Sequence, residues 1–440
     1  MKKHIELSPI NSPFFLGFGT EWDSRHYRAS GVTDEDFAVI RRRIEWMHLP
    51  VARIMMQIRW CRREDGSFDF ETPMMHDLCR HLDLCQSLGT TVFLTDWGCM
   101  PEWLQVPGIR DVGDPLYAEA IGTYLEYLLN QRGYTTIKYF IMVNEPNWEV
   151  KDFVLWRHGV ENVAAELKRR GLDDRIALAG SDESDAPDDD WHLMAVDQLS
   201  GVLGAYDVHH YASDSKVRLG ELETYFRRLW EYAQSHDPHG AQNPCIVGEA
   251  GMGDDAQHPH GSPHINEFQY GLFMADYIVQ AASAGSAAVL VWMLDDNSHL
   301  NFFWGLWSSK ADGLRLRPWF YPMSLLCRLF PAGSTLYRVI SGSPDVRILA
   351  AHYGDGWTVC VVNRGDDEVD YELALDEAAQ AVQVTTYCYS KDRAPADAKG
   401  FPVPLTITAE RLNAIAFVCP PQSVIFYQII PGGNIASALS

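Results

Sequence analysis

The chain has 440 residues, with 36 Lys and Arg against 59 Asp and Glu and a formal net charge of -23 at pH 7. This charge repels phosphates, which argues against nucleic-acid and anionic-membrane partners, and no apolar run reaches the length of a membrane span. Nine cysteines without a Cys-x-x-Cys pair indicate reduced thiols, and no apolar signal segment follows Met1-Lys2-Lys3, so we expect a cytoplasmic protein.

Eight strand-like apolar runs alternate with amphipathic helical patterns between residues 14 and 330. The predicted strands are 14–19, 51–58, 91–95, 137–143, 176–179, 205–209, 245–248 and 287–293. The predicted helices are 36–48, 74–87, 117–131, 153–170, 221–235, 265–284 and 318–330. A doubly wound open sheet is the alternative, but Gly17-Phe18-Gly19-Thr20 does not complete its phosphate-binding turn. We therefore predict an α/β fold, a (β/α)₈ TIM barrel over residues 10–330.

The pattern changes from residue 331 onwards. Apolar and polar residues alternate on both sides of the turn Gly354-Asp355-Gly356, which is a hairpin signal. Further strands are predicted, so that the set is 346–352, 357–362, 370–373, 382–388, 405–408, 414–418 and 424–430. These strands predict a C-terminal antiparallel β-sandwich over residues 331–431, with residues 1–9 as the source of an additional edge strand at 4–7. We expect residues 432–440 to be a frayed tail.

Two of the predicted barrel strands end in a glutamate. The run Ile141-Met142-Val143-Asn144-Glu145 is closed by Pro146, which cannot donate to a sheet ladder, so the strand should stop at Asn144 or Glu145. Cys245-Ile246-Val247-Gly248-Glu249 repeats the arrangement on the seventh predicted strand. The carboxyl ends of parallel strands are where barrels carry their chemistry, and glycoside hydrolysis needs two carboxyl groups facing one bond.

Five separated elements resemble the large clan A of retaining (β/α)₈ glycoside hydrolases. The motif Val143-Asn144-Glu145-Pro146-Asn147 resembles the acid/base motif of family 39, the β-xylosidase and α-L-iduronidase family, and of family 5. Gly248-Glu249-Ala250-Gly251 is closer to the nucleophile segment of family 5. The resemblance implies Glu145 as acid/base and Glu249 as nucleophile. It further implies that Asn144 contacts the sugar 2-hydroxyl, that Arg53 supports the nucleophile, and that Trp292, in Val289-Leu290-Val291-Trp292-Met293, lies beneath the sugar. Asp207-Val208-His209-His210-Tyr211 resembles the His-x-Tyr element of the clan, so His209 and Tyr211 are expected at the substrate.

Other residues at predicted strand ends are candidates for substrate binding. Trp97 follows the third strand, where an aromatic face can stack on a sugar. Glu21 follows the first strand, where it binds sugar hydroxyls or caps a loop. His258, His260 and His264 lie in a Pro/Gly-rich loop without a partner motif for zinc, so we interpret this loop as a solvated lid over the cleft. The acidic stretch 182–190 lacks the ligand periodicity of a calcium loop, so we interpret it as a solvated loop, and we expect neither a metal nor a cofactor.

The sequence therefore predicts a glycoside hydrolase that cleaves β-linked glycosides or short oligosaccharides. It is compatible with a monomer or with a homo-oligomer. One alternative is a glycosidase for uronic-acid-containing glycans. It rests on arginines in the loops after the first two strands, which could hold a carboxylate: Arg25, Arg28, Arg59, Arg62 and Arg63. An alternative of another class is a barrel that binds glycan without hydrolysing it.

Overall fold

A computed structural model describes residues 3–5, 7–10, 12, 14–100, 104, 108–184, 190–256, 260–374, 380–412 and 414–431. The tail predicted at 432–440 lies outside the described residues. Among the helices of the described part, none is long and apolar enough to cross a membrane. The nine cysteines are buried free thiols.

The chain begins with two short strands, β1 (Lys3–Ile5) and β2 (Leu7–Pro9), before it enters a closed parallel barrel. The barrel strands are β3 (Gly17–Glu21), β4 (Val51–Met56), β5 (Thr91–Asp96), β6 (Ile137–Ile141), β7 (Ala177–Ser184), β8 (Leu203–Ala212), β9 (Cys245–Met252) and β10 (Ala288–Val291). They pair in sequence order, and β10 closes the barrel against β3. The predicted TIM barrel is confirmed, and each predicted strand coincides with an observed one.

Helices follow the barrel strands along the chain. They are α1 (Asp34–Met47), α2 (Pro73–Leu88), α3 (Pro115–Glu126), α4 (Pro146–Glu149), α5 (Phe153–Arg170), α6 (Trp191–Leu199), α7 (Asp214–Leu219), α8 (Glu221–His236), α9 (Phe268–Ser283) and α10 (Phe320–Leu329). The sequence patterns did not predict α4, α6 and α7. Each of these three is short, and short helices carry little periodicity.

Alternation along the strands divides the barrel interior into an apolar layer and a charged layer. Val51 and Ala205 belong to the apolar layer, together with the stacked rings of Phe93 and Tyr139, whose centroids are 4.3 Å apart. Successive inward positions of a strand are two residues apart. The next inward residues on β4 and β8 are therefore Arg53, and then Asp207 and His209, all fully or almost fully buried. The charged layer lies at the carboxyl ends of the strands.

Eight further strands form the C-terminal region: β11 (Thr335–Val339), β12 (Val346–Tyr353), β13 (Gly356–Asn363), β14 (Val369–Ala374), β15 (Gln380–Ser390), β16 (Thr406–Leu412), β17 (Ala414–Cys419) and β18 (Ser423–Pro431). Their sheets have the orders β16-β15-β18-β13-β12-β11-β2 and β1-β14-β17. The predicted antiparallel sandwich is present, and β11 is an addition to the predicted strands. Residues 1–9 supply one strand to each sheet, whereas a single strand was predicted at 4–7.

The seven-stranded sheet packs against the barrel. Tyr389, Val424 and Phe426 belong to the same apolar core as the barrel helices, and the Tyr389 hydroxyl donates a hydrogen bond of 3.0 Å to the carbonyl of Phe268 at the start of α9. The other face of the sheet packs on β14 and β17 through residues such as Val359. The sandwich thus covers barrel helices on the side of α9 and α10.

Candidate active site

Glu145 lies at the start of a short helix in the mouth of the barrel. The strand β6 ends at Ile141, before Asn144 and Glu145, where the sequence predicted its end, and Pro146 begins α4. Glu145 itself has the left-handed backbone conformation, with φ 42° and ψ 62°. Its side chain is 24% exposed and lines a cavity of about 620 Å³. The carboxyl group that ends this segment is therefore accessible from the cavity.

Glu249 lies across the cavity, inside strand β9. Its side chain is 6% exposed, and the glycine before it makes room for a neighbouring acid. A Cβ atom on Gly248 would lie 2.4 Å from both carboxyl oxygens of Asp207, so only glycine fits there. The register of β8 against β9 shifts at this point, which aligns His209 with Glu249. One carboxyl oxygen of Glu145, one carboxyl oxygen of Glu249 and one ring nitrogen of His209 lie within 4.8 Å of one another.

Arg53 is a fully buried cation between the two glutamate-bearing segments. Its Nη1 donates to Glu249 Oε1 at 2.8 Å, and its Nη2 donates to Asn144 Oδ1 at 2.9 Å and to Asp182 Oδ2 at 2.8 Å. Burial alone would lower the pKa of Arg53, but Asp182 and Glu249 raise it above its ordinary value. The guanidinium therefore stays charged and joins residues of β4, β7, β9 and the loop after β6.

His209 contacts three carboxyl groups. Its Nδ1 lies 3.0 Å from Glu145 Oε1 and 3.6 Å from Glu249 Oε2, and its Nε2 lies 3.1 Å from Asp182 Oδ1. Burial alone would lower the pKa of His209, but Glu249, Asp182 and the hydrogen bond to Glu145 raise it well above 6.5. These contacts favour the imidazolium form, which has a donor on each nitrogen.

The protonation of Glu249 reflects opposing effects. Burial raises the pKa of Glu249 above its ordinary value, while His209, Arg53 and the Tyr211 hydroxyl favour the ionised form. Tyr211 donates to Glu249 Oε2 at 2.8 Å. Both oxygens of Glu249 thus accept a hydrogen bond, one from Arg53 and one from Tyr211.

Aromatic side chains form much of the cavity wall. The rings of Trp97 and Trp292 meet edge to face at 5.9 Å, and both line the cavity with Tyr211. The cavity is lined by Trp97, Asn144, Glu145, Trp148, Ser184, Tyr211, Glu249, Gly253, Trp292 and Phe302. An open cleft with aromatic walls and two acids matches the shape and chemistry of a carbohydrate site.

Glu21 lies beneath the cavity wall. It is fully buried, and neither carboxyl oxygen has a hydrogen-bond partner among the described residues. Burial first, and then the charge of Asp23, raise the pKa of Glu21 well above its ordinary value. The structure therefore places Glu21 near Arg53 and Glu249 but gives it no surface in the cavity.

The arginines considered for an anionic substrate have different environments. The Arg25 guanidinium lies 4.5 Å from the ring centre of Trp97, and its Nη2 donates to His299 at 2.9 Å. Arg28 and Arg63 form ion pairs with surface aspartates instead. Arg25 is thus beside a cavity residue, whereas Arg28 and Arg63 are engaged elsewhere.

The interpretation of residues 182–190 as a solvated loop was wrong over residues 182–184, because β7 continues to Ser184 and Asp182 is fully buried. Burial alone would raise the pKa of Asp182, but Arg53 and His209 hold it at about 2. Residues 185–189 lie outside the described part. The sequence analysis also missed Asp207 and Glu149. The Asp207 carboxyl group fills the space beside Gly248, next to Glu249, and Glu149 accepts a hydrogen bond of 3.1 Å from Asn144 Nδ2.

The other proposed loop, with its three histidines, is only partly described. His258 lies outside the described residues. His264 Nδ1 lies 3.1 Å from Glu267 Oε1, and the hydrogen bond to Glu267 raises the pKa of His264. The two residues of this exposed contact are three positions apart in the chain.

Solved structures share this fold along almost the whole chain, although the sequence matches no protein-family model and no curated protein. A glucosidase from Croceicoccus marinus has a TM-score of 0.71 at 12% identity, with 98% of this chain and 99% of that chain covered. A family 30 subfamily 8 xylanase from Clostridium acetobutylicum has a TM-score of 0.67 at 13% identity, with 98% and 99% covered.

A family 39 β-xylosidase from Caulobacter crescentus has a TM-score of 0.65 at 14% identity, with 97% of this chain and 98% of that chain covered. Glycoside hydrolases of families 30 and 39 therefore share the barrel and sandwich of this chain. The fold expected from the clan A resemblance is confirmed. Family 30 was not among the families that the motifs indicated.

Arg53→Met should destabilise the protein in a pH-dependent manner. Removing one partner of a buried ion pair leaves an uncompensated charge, so the free energy of unfolding should fall by about 3–5 kcal/mol at pH 7. Without Arg53 the pKa of Glu249 rises further, and the folded state then binds its proton more tightly than the unfolded state does. Part of the loss should therefore be recovered as the pH is lowered from 7 to 5, measured by urea unfolding relative to wild type.

Arg43→Met is the matched control. Arg43 is also buried, but its Nη2 donates to the carbonyl of Leu314 at 2.6 Å. Its loss should depend less on pH between 5 and 7 than that of Arg53→Met, because Arg43 bonds to a backbone carbonyl and interacts with the Asp295 carboxyl group only at longer range. Equal, pH-independent losses in both variants would contradict the assigned role of Arg53.

Proposed function

We propose that this protein is a retaining glycoside hydrolase that cleaves β-linked glycosides, with Glu145 as acid/base and Glu249 as nucleophile. The observation that carries the proposal is the approach of the two carboxyl groups, whose facing atoms lie within 4.8 Å across one cavity. Retaining enzymes hold their carboxyl groups roughly 5–5.5 Å apart, while inverting enzymes need about 6.5–9.5 Å to admit a water. The gap supports direct attack by Glu249.

The hydrogen bonds support a division of labour between the oxygens of Glu145. His209 contacts Oε1 at 3.0 Å, and as an imidazolium it donates there. The proton for the leaving group is then carried on Oε2. In the first step Glu145 gives this proton to the glycosidic oxygen as the bond from that oxygen to the anomeric carbon breaks, and the Glu249 carboxylate forms an ester with the same carbon.

The second step reverses the role of Glu145. Its carboxylate takes a proton from a water molecule, the water oxygen bonds to the anomeric carbon, and Glu249 leaves as a carboxylate. Arg53 and Tyr211, at 2.8 Å from the two oxygens of Glu249, favour the ionised form that attacks first and departs last. This chemistry requires two carboxyl groups and water, and no cofactor.

The substrate is best sought among short neutral glycosides. Proteins of similar fold include a glucosidase, a xylanase and a β-xylosidase, so hexose and pentose glycosides are the first compounds to test. The walls formed by Trp97 and Trp292 offer faces to the CH groups of a sugar ring. The cavity also contains the amide of Asn144, which we assign to the hydroxyl next to the anomeric carbon.

A glycosidase for uronic-acid-containing glycans is the second candidate. The observation that favours it is the Arg25 guanidinium, which lies 4.5 Å from the ring centre of the cavity residue Trp97. A guanidinium can bind a sugar carboxylate through two parallel hydrogen bonds.

The two glutamate variants should lose activity in different ways. Glu249→Ala should abolish turnover of every substrate, because no ester can form. Glu145→Ala should lose about 10²–10⁴-fold in kcat/KM on substrates with poor leaving groups, but little on dinitrophenyl glycosides, which depart without a proton. Azide should accelerate turnover of those activated substrates by Glu145→Ala and give a β-glycosyl azide.

Glu231→Ala, at an exposed position on α8, is the control and should behave as wild type. Equal loss by Glu145→Ala on every leaving group would contradict its role as acid. Glycan binding by a wild-type protein that turns over no glycoside would favour the non-hydrolytic alternative.

A panel of aryl glycosides should separate the two substrate classes. We expect the wild-type protein to turn over neutral β-xylosides or β-glucosides, measured as kcat/KM for each sugar, and to discriminate against the matching uronides. Turnover of the uronides alone, lost in Arg25→Met, would instead support the uronic-acid candidate and contradict the neutral one.

A further inference from the structure

We propose that Asp182 is a positioning residue that holds the two cations supporting Glu145 and Glu249 and fixes the backbone at Glu145. The inference rests on the proposed function for its effect on turnover. Its structural content, the control of His209 and Arg53 by a single buried carboxylate, can be tested without any substrate.

Asp182 lies at an irregular point of the strand β7. The register of β7 against β8 shifts between Ser181 and Glu183, so Asp182 is the extra residue of a bulge. Its φ is 62°, in the left-handed region that aspartate tolerates better than most side chains. Bulges re-aim a side chain, and here the carboxyl group is fully buried within the charged layer.

The Asp182 carboxylate contacts three residues of the site. Its Oδ2 accepts a hydrogen bond of 2.8 Å from Arg53 Nη2 and one of 3.3 Å from the backbone N–H of Glu145. Its Oδ1 lies 3.1 Å from His209 Nε2. One carboxylate therefore contacts the partner of the nucleophile, the partner of the acid/base, and the acid/base residue itself.

Asp182 also sets the orientation of the His209 imidazole. A His ring is rigid, so a contact that holds Nε2 also fixes the direction of Nδ1. With Asp182 at Nε2, Nδ1 faces Glu145 Oε1 at 3.0 Å and Glu249 Oε2 at 3.6 Å. If Nε2 were released, the ring could turn and the hydrogen bond to Glu145 would lose its donor direction.

His209 is surrounded by charged groups from several strands. The groups that face it are Glu145 after β6, Asp182 on β7, Glu249 on β9 and Arg53 on β4, with Asp207 two residues earlier on its own strand. Burial first, and then the charge of Asp182, raise the pKa of Asp207 well above its ordinary value and so favour its neutral form. The two cations Arg53 and His209 are thus offset within the buried layer by Asp182 and Glu249, and neutralising Asp182 leaves one positive charge in excess.

The test is Asp182→Asn, which retains the shape of the side chain and removes its charge. In the wild-type protein, ¹⁵N NMR of labelled histidine should show both nitrogens of His209 protonated at pH 7, with the signal assigned by its loss in His209→Gln. In Asp182→Asn, His209 should lose a proton within the range of pH 5 to 8. We expect kcat to fall about 100-fold on all leaving groups alike, as for a displaced catalytic group, with KM little changed.

Asp276→Asn is the matched control, because Asp276 is also a fully buried aspartate but lies on α9, where Gln280 donates to it at 2.8 Å. It should leave the His209 signal and the kcat unchanged, whatever its effect on stability. A His209 that titrates identically in wild type and Asp182→Asn would overturn the proposal, as would unaltered kcat in that variant.

Two outcomes keep the inference separate from the proposed function. If Asp182→Asn does not fold, the wild-type spectrum still decides, since a His209 that is neutral at pH 7 would overturn the charge balance. If the wild-type protein cleaves no glycoside but His209 depends on Asp182 as described, the proposed function fails and the positioning role of Asp182 stands.

Discussion

The charged layer of this barrel depends on one buried guanidinium. Arg53 has no exposed surface, so its charge must be met by acceptors inside the protein or cost several kcal/mol. It meets three, on Glu249, Asn144 and Asp182, at 2.8–2.9 Å. A planar group with donors in fixed directions constrains where these acceptors stand. The relative placement of β7, β9 and the loop after β6 follows from a residue on β4.

The barrel allows this arrangement because its strands depart from regular pairing near their carboxyl ends. The register shifts at Asp182 on β7 and beside Gly248 on β9 bring acids inward that a regular strand would space differently. Gly248 leaves room for the Asp207 carboxyl group, and the inward alternation of β8 delivers His209 between both glutamates. Two local register shifts and the regular alternation of β8 thus produce one compact set of charges beneath the aromatic cavity.

The sequence predicted most of the fold because the barrel strands are short, apolar and separated by strong helical patterns. It also indicated Glu145, Glu249 and the neighbours Arg53, His209 and Tyr211, because they lie at strand ends and within motifs. Their contacts are now described, whereas their catalytic roles stay proposals. Trp97 and Trp292 line the cavity as the position of their strands suggested. Glu21 was predicted on the same grounds, but its side chain is buried below the cavity wall.

Asp182 could not be found by pattern. It stands in Gly180-Ser181-Asp182-Glu183-Ser184, a polar segment that resembles a loop, and its burial depends on partners 129 residues away at Arg53 and 27 residues away at His209. Only the bulge in the folded barrel aims it inward. Glu149 was missed for another reason: its partner Asn144 is only five residues away, but α4 is too short to leave a periodic pattern in the sequence.

The central claim is that Glu249 forms a covalent bond with the sugar. It is tested most directly by incubating the protein with an activated 2-deoxy-2-fluoro-β-glycoside of the sugar it prefers, followed by mass spectrometry of the intact chain and its peptides. We expect one added fluoroglycosyl group, located on Glu249, with loss of activity in proportion to labelling. Labelling at a different residue, or turnover of the parent glycoside with inversion at the anomeric carbon, would contradict it.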